Sequence, residues 1–149
     1  MVNIEDFIQH QECPGVNGIY YPNGSVHLLD VNVNWVADDK YIVKFMEETS
    51  INDLCDSMDI DCWNDCNVLF SKEYDKFGIK VISGESDYGD DGFIAVIDCH
   101  DKLVWLAFFD CSNPFDDVSV DESLVYARST NGTMWEFPIS SPKDVVVKC

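Results

Sequence analysis

The sequence predicts an α+β domain: a mainly antiparallel β-sheet, sandwich-like or strongly curved, with one or two short helices packed on it. Three observations lead there. Leu29, Val31, Val33 and Trp35 alternate with Asp30, Asn32 and Asn34, the period of a strand with one wet face. The segments Phe93-Ile94-Ala95-Val96-Ile97-Asp98 and Leu103-Val104-Trp105-Leu106-Ala107-Phe108-Phe109 are apolar on both faces, which marks central strands covered on each side. One stretch, 50–58, carries a clear helical period.

Taken in order, Asn3 is placed to cap a short helix whose stripe is Ile4, Phe7 and Ile8, with Glu5 and Asp6 near its positive end. The strand 18–21 then runs into Pro22-Asn23-Gly24, whose Asn-Gly pair suits a tight hairpin. The alternating strand 29–36 follows, with 40–46 as its antiparallel return. In the helix over 50–58, Ser50 and Asp53 occupy N-cap and N3, and Ile51, Leu54, Cys55 and Met58 form the buried stripe. Asp53, Asp56 and Asp59 fall off that stripe and are expected in solvent. Strands are predicted at 68–70, 78–83, 93–98, 103–110, 123–129 and 133–137. Cys99-His100-Asp101-Lys102 joins the two apolar runs as a hairpin, 128–133 forms another turn, and Pro138 and Pro142 end regular pairing. At 149 residues, with 46% apolar and 13% aromatic residues, the chain suits one globular domain.

Charge narrows the function. Nine Lys plus Arg against 28 Asp plus Glu leave a net charge of −19, far beyond the magnitude of ~2–8 that keeps a small domain soluble. Such a field accelerates encounter with basic partners. Nucleic acid is excluded as a ligand, because phosphate binding needs Lys and Arg, and anionic membrane surfaces are disfavoured for the same reason. No basic leader and no long apolar span is visible, so the expected location is the cytoplasm. Seven cysteines, an odd number at irregular spacing, read as reduced thiols. The sequons at Asn23 and Asn131 read as turn chemistry.

Two stretches concentrate the acidity. Between Lys44 and Lys72 there is no cation, while Glu47, Glu48, Asp53, Asp56, Asp59, Asp61 and Asp65 accumulate, with Trp63 among them as a large anchor of the kind interfaces favour. The second stretch is the loop Glu85-Ser86-Asp87-Tyr88-Gly89-Asp90-Asp91-Gly92, with four carboxylates in eight residues. As a calcium loop counted from Asp87, it has Gly89 where the third-position ligand belongs, and its flanks are strand-like. Cys55, Cys62 and Cys66 lack the paired knuckles of a zinc site, and adjacent Cys99-His100-Asp101 do not form a nucleophile relay. No phosphate loop, nucleophile elbow or zinc-protease motif is present. The sequence therefore predicts no catalytic residue, no metal and no cofactor.

A small, acidic domain without a catalytic motif resembles the immunity proteins of bacterial toxin systems, such as those paired with contact-dependent inhibition toxins. The resemblance lies in overall character and transfers no individual residue. It implies stoichiometric neutralisation of a basic toxin domain, a nuclease above all, whose phosphate-binding groove the carboxylates would occupy. The expected contact residues are Asp56, Asp59, Asp61, Trp63 and Asp65, together with Glu85, Asp87, Tyr88, Asp90 and Asp91. Two other readings remain at this stage: a nucleic-acid-mimicking inhibitor of a DNA-binding protein, and a calcium- or carbohydrate-binding β-module.

Overall fold

The computed structural model describes residues 12–34, 41–57, 63–86 and 89–148. Eight strands form one antiparallel sheet in the order β1-β5-β6-β7-β8-β2-β3-β4. They are β1 (Glu12–Pro14), β2 (Gly18–Tyr20), β3 (Ser25–Val33), β4 (Tyr41–Ser50), β5 (Trp63–Tyr74), β6 (Ile79–Ser86), β7 (Gly92–Asp98) and β8 (Leu103–Phe109). A four-stranded sheet, β12-β11-β10-β9, comprises β9 (Phe115–Val120), β10 (Leu124–Ser129), β11 (Met134–Pro138) and β12 (Val146–Lys148). A helix, α1 (Ile51–Ser57), follows β4, and a 3-10 helix, Pro142–Asp144, precedes β12.

The double apolar runs of β7 and β8 now have a cause. On one face Ile94, Val96, Trp105, Ala107 and Phe109 meet the small sheet through Phe115, Val118, Val125, Ala127, Trp135 and Phe137. On the other, Phe93, Ala95, Leu106 and Phe108 join Tyr20, Val26, Cys13 and Cys66, over which α1 lays Ile51 and Leu54. Trp135 sits at the centre of the inter-sheet core, 4.6 Å from the ring of Phe109 and 5.3 Å from that of Tyr41. Both buried indoles find acceptors, Trp105 Nε1 on Ile139 O at 2.9 Å and Trp135 Nε1 on Thr133 Oγ1 at 3.0 Å, as buried N–H groups require.

The sequence-predicted helix and hairpins are present. Asp53 N–H donates to Ser50 Oγ at 3.1 Å, the expected N-cap. Asn23 Oδ1 accepts from Ser25 N–H and Gly24 takes φ +91°, which makes the β2–β3 turn. In the β3–β4 hairpin the register shifts between Leu28 and Leu29, because Met46 is an extra residue on β4. Beyond it, Leu29 and Tyr41 enter the inter-sheet core, and Tyr41 OH donates to Cys111 O at 3.0 Å while accepting from Asn131 Nδ2 at 2.8 Å. The short β1 and β12 and the acidic β9 have no strand signal in the sequence, and β5 starts at Trp63, ahead of the strand expected over 68–70. The helix proposed at Asn3, and Trp35 and Val36 of the alternating strand, lie outside the described residues.

The thiols correct one expectation. Cys55, on α1, is disulfide-bonded, whereas Cys13, Cys66, Cys99 and Cys111 are free. Among the described residues no helix is long and apolar enough to cross a membrane.

Candidate functional site

Strand register decides which carboxylates stand together. Glu12 of β1 lies directly opposite Asp65 of β5, and two residues along β5, Asn67 lies opposite Glu85 of β6 and donates from Nδ2 to its Oε1 at 3.1 Å. Residues opposite one another, and residues two apart, share a sheet face. Glu12, Asp65 and Glu85 therefore lie on one face, while Cys13 and Cys66 point to the other. The two acidic stretches read from the sequence meet here, at Asp65 and Glu85.

Antiparallel order places further carboxylates at the same end of the large sheet. Asp90 precedes β7, where its carbonyl accepts from Asn113 N–H at 2.8 Å, and Asp110 follows β8. Both bear on Cys111, whose pKa is pushed up to about 12, first by burial and then by Asp110 and Asp90. Neither β1, β7, β8 nor β9 carries Lys or Arg. The lysines of β5 and β6, Lys72 and Lys80, sit at the far end with Lys76 and Lys102, interleaved with Glu73, Asp75, Asp98 and Asp101. Among the described residues, charge is thus offset at one end of the sheet, whereas at the other the corner formed by β1, β5 and β6 carries no Lys or Arg; Lys44 stands across the sheet on β4, opposite Asp30, and Arg128 pairs with Asp116 of β9 at 3.6 Å.

Several predicted contact residues fall elsewhere. Asp56 is exposed on α1, which packs on the face opposite Asp65, so these two do not form one surface. The backbone of Trp63 is in β5, paired with Pro14. Asp59, Asp61, Asp87 and Tyr88 lie outside the described residues. Asp91 is a correction: at 1% exposure it is no contact residue. Its Oδ1 accepts the Ser86 N–H at 2.8 Å and so pins the loop from inside. Burial raises its pKa, and the Ser86 hydrogen bond offsets part of that. Glu12 and Asp110 were not singled out from the sequence, because only pairing across distant segments brings them to the site.

Other acidic side chains serve turns. Asp98 Oδ1 accepts the N–H groups of His100 and Lys102 at 2.8 and 3.0 Å, and these hydrogen bonds hold its pKa below the ordinary carboxylate value. Cys99-His100-Asp101 is accordingly a turn, with Asp101 at φ 60°. Cys66 is held protonated, first by its hydrogen bond with Cys13 and then by burial, the opposite of an activated thiolate. Among the described residues no group of three or more His, Cys, Asp or Glu is arranged to hold a metal ion.

No family model matches the chain, and neither a curated protein nor a solved structure matches it.

Proposed function

We propose that this protein is an immunity-type inhibitor that binds a basic toxin domain, a nuclease above all, in a stoichiometric complex in the cytoplasm. The observation that supports this most is the corner of the large sheet where, among the described residues, β1, β5 and β6 bring Glu12, Asp65 and Glu85 to one face with no Lys or Arg beside them, and Asp90 and Asp110 lie at the same end. Like charges set directly across a ladder destabilise it, and a cationic surface relieves that repulsion on binding. Carboxylates there stand in for the phosphates such a domain holds with Lys and Arg. Long-range attraction speeds association, which suits an inhibitor that must act before damage occurs.

The test is calorimetry against the basic domain encoded beside this gene, across a salt series. Reversing Glu12, Asp65 and Glu85 together to Lys should weaken binding by about three orders of magnitude and flatten its salt dependence, since each charge pair in an interface carries a coupling of about 1.5 kcal/mol or more. Reversing Glu73, Asp75 and Asp101 at the opposite end is the control for net charge. Equal losses from both triples would remove the assignment to this end, and no complex at all would remove the function.

A further inference from the structure

Phe45 stands 45% exposed on β4, and the residues around it are built rather than incidental. In a regular strand, residues three apart point to opposite faces. The extra residue at Met46 changes that and brings Phe45 and Glu48 to the same face, with Glu48 directly opposite His27. The His27 ring meets Phe45 edge-on at 5.5 Å and Tyr21 at 5.0 Å, so the phenylalanine is braced from the β3 side. From the 3-10 helix, Lys143 Nζ stands 5.2 Å from the Phe45 ring centroid and 3.7 Å from Asp144 Oδ1. Glu48 and Asp144, 63% and 61% exposed, both add to the burial that raises the Tyr21 pKa, which places the two carboxylates around one aromatic corner.

This corner already holds a cation. We propose that Phe45, Glu48 and Asp144 form a seat for a cationic side chain of a partner protein, arginine foremost, and that Lys143 occupies the seat in the free protein. The inference deepens the reading of a basic partner and rests on it. Arginine fits better than the resident lysine, because its planar guanidinium stacks on an aromatic face and pairs with two carboxylates at once. Lys143 yields readily, since an exposed ion pair on a flexible stem holds weakly. A second copy of the chain is not the occupant: two molecules of charge −19 repel.

The probe is an oligo-arginine peptide, titrated calorimetrically into the full chain at low salt, with the isosteric citrulline peptide as the uncharged reference. Phe45→Leu leaves every charge in place and should weaken arginine-peptide binding by roughly two- to fivefold, the range of an exposed cation–π contact. Lys143→Met empties the seat and should tighten binding more than Lys148→Met does, although both remove one positive charge. Lys148 pairs instead with Glu136, at 2.9 Å. Circular dichroism and melting confirm that each variant folds. Wild-type affinity in Phe45→Leu, or equal tightening in the two lysine variants, overturns the seat and leaves net charge as the only attraction. Toxin binding that fails while the seat still takes the peptide removes the inhibitor reading alone.

Discussion

Replacing Asp91 by Asn should stabilise the protein at neutral pH, although the residue lies in the most acidic loop of the chain and is buried there. Its Oδ1 takes the Ser86 N–H at 2.8 Å, and the Ser86 side chain bears on the same carboxylate, yet Oδ2 and Ser86 Oγ are buried without a well-formed hydrogen bond. Asn keeps the Oδ1 acceptor, removes the buried charge, and offers Nδ2 as a donor toward the Ser86 hydroxyl. A buried polar atom left unpaired costs about 1–3 kcal/mol, so recovering part of that predicts a gain of about 1 kcal/mol, or about 3 °C in melting temperature for a domain of this size. The pH dependence carries the sharper check. The folded pKa of Asp91 is raised, so its contribution to stability is full below the unfolded carboxylate value of about 4 and is lost as pH rises through the folded pKa. Asn does not titrate. The advantage of Asp91→Asn is therefore largest at pH 7 and shrinks on acidification towards pH ~4. Urea titrations followed by the fluorescence of buried Trp105 and Trp135 measure it. A variant less stable than wild type at pH 7, or a difference that does not change with pH, refutes the reasoning. Asp91→Ala, which strands the Ser86 N–H, should lose about 1–3 kcal/mol at pH 7.

Three further perturbations test the fold that carries the site. Gly84→Ala places a Cβ 2.0 Å from the Asn67 carbonyl oxygen, a clash with backbone that cannot rotate away; a loss on the order of 3–4 kcal/mol is expected by chemical denaturation, together with disturbance of the ladder that aligns Glu85. Tyr41→Phe removes the hydroxyl that links Cys111 O and Asn131 Nδ2, with an expected cost of about 1–2 kcal/mol and faster amide exchange where β3 and β4 meet the small sheet. Ser50→Ala removes the N-cap of α1 and should lower stability by about 1 kcal/mol in the same titration, whereas Ser50→Asn should restore most of it.

Local signals identified much of the sheet. The alternation at Leu29, Val31 and Val33, the apolar runs of β7 and β8, and the turns at Asn23-Gly24 and Asn131-Gly132 depend on nearest neighbours along the chain, so they survive reading in one dimension. Strands β1, β9 and β12 did not. Phe115-Asp116-Asp117-Val118-Ser119-Val120 has no clean period because Asp116 and Asp117 interrupt it, and its hydrogen bonds to β10 supply what propensity lacks. The first residues of β5 escape for a related reason: Trp63 is in a strand through pairing with β1, a segment some fifty residues earlier.

The candidate site divides along the same line. The sequence by itself determined that cations are scarce and that carboxylates crowd two stretches. Only the tertiary structure decided which carboxylates act together. Asp65 meets Glu12 and Glu85 because register sets them on one face, Asp56 is carried to the other by α1, and Asp91 is turned inward to hold Ser86. A carboxylate has the same charge wherever it sits in the sequence, but whether that charge faces a partner or a backbone amide depends on pairing between distant strands.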